Sequence, residues 1–238
     1  MFYVPGTVLA SCDVVVLDGA EGRHAATVRR LRPGEQVQVG DGRGLVASCV
    51  VTAVARDSLE LSVRSRRLVP CAVPALVVVQ AIPKGDRGEL AVEEMTEVGV
   101  DRIVPWAAAR SVPVWRDDRG VTRWRAKAYE SAKQSVRAWI PEVTAPVTTA
   151  GAAKLAAAAS AAFLLDASAD QPLAGVTVPE AGTLVVIIGP EGGIAPEETA
   201  ELTAAGALSC RLGPSVLRTS TAGAVAAAVL LARTARWQ

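Results

Sequence analysis

Apolar and polar residues alternate along about the first 68 positions, in short runs separated by turn residues. The runs are DVVVLD, EQVQVGDG, LVASCVVTAV and SLELSVRS, and pairs such as Pro33-Gly34 and Asp41-Gly42 lie between them. Alternation with a period of two, interrupted by glycine and proline, is typical of half-buried β-strands. One segment, GRHAATVRRL, instead has its apolar residues at helical spacing. The pattern predicts a small β-barrel with one short helix.

After the proline-containing stretch RRLVPCAVP, the pattern changes to continuous apolar runs. Such runs are expected for strands that are covered on both faces. Segments with helical spacing lie between them, and this alternation predicts an α/β domain with a mostly parallel sheet and a ligand site at the carboxyl ends of its strands. The predicted strands are 75–82, 101–107, 160–166, 183–189 and 207–213, and the predicted helices are 88–98, 121–138, 196–205 and 221–236. We place the domain boundary in the proline stretch, which gives domains 1–70 and 71–238.

The helix predicted at 121–138 has one polar and one apolar stripe. The polar stripe consists of Arg123, Lys127, Glu130, Gln134 and Arg137, and the apolar stripe of Trp124, Ala128, Ala132 and Val136. A polar stripe is usually solvated surface. Gln134 and Arg137, at the end of the helix, are candidates for substrate contacts.

The composition excludes several classes of protein. Half of the 238 residues are apolar, but no run approaches the roughly 20 apolar residues of a membrane span. The first residues lack the basic start of a secretion signal, so we expect a cytoplasmic protein. Four cysteines lie far apart and His24 is the single histidine; we therefore expect no metal site and no disulfide, and cysteines that are reduced and mostly buried.

Charge is unevenly distributed in a chain of net charge +1. Between Arg110 and Trp139 there are eight basic and three acidic side chains. A basic patch on a nearly neutral protein fits a local contact with a polyanion, and a solvated helix face with excess arginine fits equally well.

The segment GPEGGIAPEE, residues 189–198, leaves a predicted buried strand and enters a predicted helix. Its glycines allow a sharp turn and a close approach of backbone to a ligand, and Pro196 suits a first helical turn. Three carboxylates at this turn argue against phosphate, and the GxxxxGK[ST] pattern is absent. Backbone amides with negative charge suit a ligand with an adenine edge and a cationic centre, such as S-adenosylmethionine.

A second segment, LGPSVLRTSTA at 212–222, repeats the order strand, glycine turn, helix. Thr219 or Ser220 is positioned to cap the last helix. That helix is rich in small residues, so it can pack close to other backbone; an ordinary crossover helix is the simpler interpretation.

Together these two segments closely resemble the C-terminal signatures of the SPOUT methyltransferases, and in detail those of the RsmE type, the 16S rRNA (uracil-N3)-methyltransferases. The resemblance runs nearly from end to end. Its further matches are His24, Val28–Arg30, Pro33–Glu35, Ile82–Arg87, Thr96–Val100, Pro105, Arg123-Trp124, Lys133–Ser135, Arg137 and Ile140-Pro141. Ser215, Ser220 and Glu94 depart from the family pattern, and charge pairing around them is expected to differ.

The resemblance implies an N-terminal PUA-like β-barrel that binds RNA and a C-terminal SPOUT α/β domain with a deep trefoil knot. It implies a homodimer that binds S-adenosylmethionine in the knot and acts on 16S rRNA within the assembled small ribosomal subunit. The cofactor residues carried over by position are Leu165, Asp166, Ile188, Gly189, Pro190, Gly192, Gly193, Leu212, Gly213, Val216, Leu217 and Thr219. The residues expected to contact RNA are His24, Arg29, Arg30, Lys84, Gln134 and Arg137, with Arg32 as a further candidate.

The chemistry that follows is methyl transfer to N3 of a uridine. Arg218 is the leading candidate to stabilise negative charge on the uracil as N3 loses its proton. Glu191 is a candidate base, although we favour a role in holding its loop. Two alternatives remain: a SPOUT enzyme that methylates another RNA, such as a ribose methylase, and an RNA-binding homologue without catalytic activity.

Overall fold

The computed structural model describes residues 1–112, 115 and 117–238, and they form two compact units. Unit 1 comprises Met1–Cys71 together with Ala132–Ile140. Unit 2 comprises Ala72–Ser131 together with Pro141–Gln238. Arg116, one of the basic residues of the 110–139 stretch, lies outside the described residues.

Unit 1 is built on a five-stranded sheet in the order β1-β3-β4-β5-β2. Its strands are β1 (Phe2–Tyr3), β2 (Val14–Leu17), β3 (Gln36–Gly40), β4 (Leu45–Val54) and β5 (Leu59–Leu68). The longer strands pair antiparallel, and β1 joins the edge parallel to β3. The four predicted strands are therefore confirmed, whereas β1 and helix α1 (Gly6–Ser11) were not predicted.

The predicted helical segment of unit 1 is confirmed with an unexpected geometry. Helix α2 (Gly19–Arg23) continues into a π-helical turn, His24–Val28. Gly22 is required there, because a Cβ atom would lie 2.4 Å from the Asp57 carbonyl oxygen. After the π-turn, Arg30 has a φ of +51°, which is uncommon for a residue other than glycine.

Unit 2 contains a six-stranded sheet in the order β11-β9-β10-β6-β7-β8, and every paired neighbour is parallel. Its strands are β6 (Ala75–Ala81), β7 (Arg102–Trp106), β8 (Glu142–Val143), β9 (Ala161–Leu165), β10 (Thr183–Ile188) and β11 (Ala207–Cys210). Alternate side chains of the central strands enter two separate cores. Val78 and Val186 face one core, and Val79 and Ile187 face the other. The prediction of strands covered on both faces is confirmed.

Five α-helices accompany these strands in the described residues, four between strands and the last after β11. They are α3 (Arg87–Val98), α4 (Arg119–Gln134), α5 (Thr149–Ala158), α6 (Pro196–Ala204) and α7 (Thr219–Leu231). Helix α5 was not predicted. Helices α3 and α7 pack closely, since a Cβ on Gly223 would lie 2.8 Å from the Met95 sulfur, so the expected close approach by the small residues of α7 is confirmed.

The prediction for α4 was wrong at its end. Helix α4 stops at Gln134, and Val136, assigned to the apolar stripe, has a φ of +56° and is 52% exposed. A residue in the left-handed region cannot continue the helix, so it leaves the stripe. Trp124, Ala128 and Ala132 are buried as predicted.

Many basic side chains of the 110–139 stretch have acidic partners. The ion pairs are Arg119–Asp117, Arg123–Glu89, Lys127–Glu93 and Lys133–Glu21. Most of the local positive charge along α4 is therefore neutralised by neighbours, which favours the interpretation of this helix as ordinary surface.

The four cysteines are free, but the expectation that most are buried was only half right. Cys49 and Cys210 are buried, whereas Cys12 and Cys71 are exposed. Among the described residues, no helix has the length and apolar character needed to cross a membrane.

Candidate active site

A cavity of about 490 Å³ opens in unit 2 where β9, β10 and β11 end and α7 begins. We call it the strand-end cavity. Of the residues expected to bind the cofactor, it is lined by Leu165, Asp166, Ile188, Gly189, Pro190, Gly193, Leu212, Gly213, Val216, Leu217 and Thr219. Gly192 is the exception and lies outside the lining. The two predicted catalytic residues, Arg218 and Glu191, also line the cavity.

The turn after β10 is tight because its glycines permit it. A Cβ on Gly189 would lie 2.5 Å from Ile194 Cγ1, and Gly193 has a φ of +73°. Pro196 is the first residue of α6, as predicted. The turn therefore folds back on itself and exposes backbone to the cavity.

The turn after β11 is fastened to the first turn by a side chain. Thr219 Oγ1 donates a hydrogen bond to the Gly189 carbonyl oxygen over 3.1 Å. The prediction that Thr219 or Ser220 caps α7 was wrong, because Arg218 occupies the N-cap position and no side chain caps the helix. Thr219 lies inside the helix instead, and its hydroxyl links the two turns.

Gln80 extends this link to the central strand β6. Its side chain is fully buried, and Nε2 donates to the carbonyl oxygens of Ala81 and Thr219. These bonds tie the start of α7 to β6, whereas Gln80 Oε1 is buried without a hydrogen-bond partner among the described residues. The signal that marks Gln80 is a single polar residue inside the apolar run ALVVVQAI.

Charged groups of both signs line the strand-end cavity. Asp166 accepts hydrogen bonds from the amide and hydroxyl of Ser168. Glu191 Oε1 accepts a 3.3 Å hydrogen bond from the Lys84 amide. Arg211 donates to the carbonyl oxygens of Ala169 and Asp170. The exposed Arg218 side chain has no ion pair among the described residues, so it is available to a ligand.

Seven residues that line the cavity are not among the predicted site residues. They are Ala167, Ile194, Thr199, Cys210, Arg211, Ser215 and Ala222. Most of them are next to a predicted residue in the sequence. Their position close to the ends of the predicted strands is the sequence feature that could have identified them. Burial raises the pKa of the Cys210 thiol, which keeps it protonated.

The residues that depart from the family pattern occupy three different environments. Ser215 is exposed at the cavity, and Ser220 is buried in α7. Glu94 is half-buried on α3, and burial together with the nearby Glu97 and Glu93 raises the pKa of its carboxyl group.

Unit 1 contains a second depression, which we call the arginine cleft. It is lined by Arg23, Ala26, Thr27, Arg30, Ala55, Arg56 and Asp57. Arg30 was predicted to contact RNA, whereas Arg23 and Arg56 were missed. Arg56 comes from the β4–β5 turn, far from Arg30 in sequence, so local charge patterns did not reveal the grouping. Arg29 is exposed but lies outside the cleft.

The remaining predicted RNA contacts are dispersed. The His24 ring lies 6.1 Å from the Phe2 ring in an edge-on arrangement, which is a packing role. The Arg137 carbonyl oxygen accepts a 2.7 Å hydrogen bond from Tyr3, whose pKa burial raises to about 12. Gln134 and, in unit 2, Lys84 have exposed side chains.

Comparison with known families defines the class of the protein. Residues 71–231 match the family described as RNA methyltransferase domain, and residues 17–64 match the RNA methyltransferase PUA domain. Together with the parallel sheet and the cavity at its strand ends, these matches make the chain a member of the RNA methyltransferases.

Individual relatives narrow the assignment. The chain is 47% identical to ribosomal RNA small subunit methyltransferase E of Mycobacterium tuberculosis, over all of this chain and 93% of the relative. The corresponding protein of Bacillus subtilis is 29% identical over 87% of this chain and 85% of the relative. The chain belongs to the ribosomal RNA small subunit methyltransferase E family.

Solved structures agree in fold. A protein of Legionella pneumophila, whose structure contains the bound cofactor SAM, is 27% identical with a TM-score of 0.84, over 98% of this chain and 97% of that one. The small subunit methyltransferase E of Neisseria gonorrhoeae, bound to S-adenosyl methionine, has the same TM-score at 24% identity and the same coverage.

Proposed function

We propose that this protein transfers a methyl group from S-adenosylmethionine to N3 of a uridine in 16S rRNA. The observation that carries the proposal is the strand-end cavity, in which the glycine turns after β10 and β11 come together. Membership of the methyltransferase E family, and the cofactor bound in the Legionella pneumophila protein, support the same reaction.

The cavity fits the cofactor in size and in chemistry. Its volume of about 490 Å³ lies within the range of roughly 300 to 1,000 Å³ that small-molecule sites occupy. Val216 and Leu217 line it with apolar side chains that are 81% and 36% exposed, so they offer uncovered surface to a flat base. Asp166 and Glu191 supply negative charge that suits a sulfonium. When bound, S-adenosylmethionine supplies an electrophilic methyl group.

Arg218 is proposed as the catalytic residue that receives the uracil. It stands at the start of α7, and Thr219, fixed by Gln80 and Gly189, orients the backbone beside it. A guanidinium here stabilises the negative charge that develops on the uracil as N3 loses its proton, which is the action of an oxyanion-hole donor.

Glu191 is proposed first as a residue that holds the turn. Its carboxylate accepts the Lys84 amide and so ties the turn after β10 to the loop that follows β6. The Lys84 side chain is exposed, and we propose that its ammonium group binds an RNA phosphate near this turn. The same carboxylate remains the candidate base for the N3 proton, since its side chain also lines the cavity.

Unit 1 is proposed to bind the RNA. The match of residues 17–64 to an RNA methyltransferase PUA domain supports this role, and a PUA-like barrel, for the 1–70 domain. The arginine cleft supplies three cations and one carboxylate, which favours a polyanionic ligand. Arg29, Gln134 and Arg137 are proposed as further contacts.

Four features extend the proposal to the setting of the reaction. They are a trefoil knot around the strand-end cavity, a homodimer, the assembled small subunit as substrate, and a cytoplasmic location. The strand order, in which β10 separates β6 from β9 and β11 lies beyond β9, is compatible with a knotted domain. Small subunit rRNA in the names of the relatives supports the substrate.

Primer extension on 16S rRNA from a strain that lacks this gene tests the proposal. A methyl group on N3 blocks base pairing, so the wild-type gene is expected to restore a stop that the deletion removes. Mass spectrometry of the nucleosides then identifies the product. A ribose-methylated product would instead indicate a ribose methylase. Binding of S-adenosylmethionine without any methylated product would indicate an RNA-binding homologue without catalytic activity.

A further inference from the structure

Arg110 lies at the rim of the strand-end cavity, although neither the mechanism nor the predicted contacts include it. It follows β7, and its Nη1 atom donates a 3.3 Å hydrogen bond to the Gly192 carbonyl oxygen. A Cβ on Gly193, which lines the cavity, would lie 3.8 Å from the same atom. The guanidinium therefore stands directly beside the turn that follows β10.

The backbone that presents Arg110 is held by a buried carboxylate. Glu198, only 6% exposed, accepts hydrogen bonds at Oε1 from the Ala109 amide (2.9 Å) and the Thr149 hydroxyl (2.7 Å). Its Oε2 accepts from the Ala195 amide at 3.2 Å. The Trp106 indole donates in turn to Thr149 Oγ1 over 3.3 Å.

Burying the Glu198 carboxylate costs free energy, and its hydrogen bonds hold the Arg110 segment in place. A carboxylate buried without a cation is unfavourable unless several donors satisfy it, and Glu198 forms no ion pair within the described part of the chain. What its hydrogen bonds achieve is to join the residue before Arg110 to the first turn of α6. The Arg110 segment and the glycine turn are thereby fixed to each other.

The unused N–H donors and the positive charge of Arg110 indicate that its ligand is an anion. Within the described residues it has no carboxylate partner, and one carbonyl bond leaves most of its five N–H donors unused. A guanidinium fork matches a phosphate or a carboxylate, whereas the sulfonium of the cofactor would be repelled. Two anions can reach this rim: a phosphate of the RNA and the carboxylate of the cofactor.

We propose that Arg110 binds a backbone phosphate of the substrate RNA at the rim of the strand-end cavity, and that Glu198 is the positioning residue that holds Arg110 there. This inference rests on the proposed function. The RNA is the favoured source because neither Arg110 nor Gly192, whose carbonyl oxygen it contacts, lines the cavity.

The first experiment compares Arg110→Ala with the wild-type chain. We expect the KM for small subunits from the deletion strain to rise about tenfold, with the Kd of S-adenosylmethionine, measured by calorimetry, unchanged within about twofold. The salt dependence of RNA binding should weaken by about one phosphate contact. Arg233→Ala is the matched control, because Arg233 is also exposed and also donates to a backbone carbonyl, that of Leu173, but lies outside the cavity lining; it should change neither value.

Two results of this comparison would overturn the proposal. A rise in the Kd of S-adenosylmethionine equal to the rise in KM would assign Arg110 to the cofactor carboxylate, and an unchanged KM would leave it without an RNA contact. Turnover by the wild-type chain is measured in the same assay. An inactive wild type would contradict the proposed methyltransferase function, and this result is distinct from either of the two above.

The positioning role of Glu198 is tested through coupling. Glu198→Gln is expected to raise the KM for the subunits, and combining it with Arg110→Ala should add little further, because both changes remove the same contact. Fully additive effects would overturn the positioning role. If Glu198→Gln fails to fold, Thr149→Val, which removes one donor to the carboxylate, provides the same cycle, with its fold checked by the Kd of S-adenosylmethionine.

Discussion

The arginine cleft and the strand-end cavity are opposite solutions to ligand recognition. The cleft contains three arginines and one aspartate: Arg23 at the end of α2, Arg30 after the π-turn, and Arg56 and Asp57 in the β4–β5 turn. The cavity is lined by two glycine turns and by apolar side chains, together with two carboxylates and two guanidinium groups. A positively charged cleft suits a polymer that is bound through its phosphate backbone. A cavity of defined shape with balanced charge suits a single small molecule. The difference implies that salt and backbone geometry affect the two regions separately.

The largest expected effect comes from removing the exposed cation that lines the cavity at the start of α7. We expect Arg218→Ala to lower methylation by about 10²- to 10³-fold, because a donor to a developing negative charge is lost. Binding of S-adenosylmethionine, measured by calorimetry, should stay within about tenfold. An equal loss of binding and turnover would show that Arg218 supports the cavity rather than the uracil.

A smaller effect is expected from backbone geometry at the cavity. Gly193→Ala places a Cβ on a residue with a φ of +73°, a strain of about 1 kcal/mol or more. We expect binding of S-adenosylmethionine to weaken about fivefold, with RNA binding at the cleft unchanged.

Gly206→Ala is the matched control for this change. Gly206 has a φ of +96°, a Cβ added to it would meet no atom within 4 Å, and it lies outside the cavity. The substitution should lower the melting temperature to a similar extent without affecting the cofactor. Weaker cofactor binding in both variants would mean that general destabilisation, and not the turn, is responsible.

The cleft should respond to charge alone. Arg56→Ala is expected to weaken RNA binding severalfold and to reduce the slope of log affinity against log salt by about 0.7 to 1, as for one lost phosphate contact. Filter binding across a salt series measures both. Arg64→Ala is the control, because it removes an exposed arginine of the same unit outside the cleft. An identical loss of affinity and of salt dependence in this variant would show that the cleft binds RNA no more specifically than the surrounding surface.

The smallest effect concerns a carboxylate of unit 2 that takes no part in the cavity. Burial and two neighbouring glutamates raise the pKa of Glu94 in the folded state, so its ionisation opposes folding as the pH rises above its unfolded value. Glu94→Gln should therefore raise the melting temperature by about 1 to 2 °C at pH 7.5. The gain should vanish below about pH 3, where the carboxyl group is protonated in both states; a gain that is constant with pH would contradict this account. Ligand binding should not change.

Much of the fold was predictable because burial leaves a strong imprint on composition. Strands β6 and β10 are covered on both faces, so their sequences are almost uninterrupted apolar runs. Helix α5, TAGAAKLAAA, escaped prediction because alanine occupies both its buried and its exposed positions, which removes the contrast that marks a helix face. Strand β1 has two residues and no period to detect.

The candidate site was predictable where backbone required a particular residue. Gly189 and Gly193 are marked in sequence, because a turn this tight excludes most side chains. The polar links were not predictable. Gln80 and Thr219 are 139 positions apart, and Glu198 meets Thr149 and Ala109 across 49 and 89 positions, so only the fold reveals which buried polar group satisfies which partner.

The hydroxyl of Thr219 that fastens the turn after β10 has a consequence for synthesis of the chain. The ribosome makes strand β10 and its glycines thirty residues before it makes this hydroxyl. Until α7 has been added, the turn lacks this bond and the cavity lacks the lining that α7 supplies, although the contacts of the turn with Lys84 and Arg110 can already form. The lining of the cavity is thus completed late, after every strand of the sheet has been synthesised.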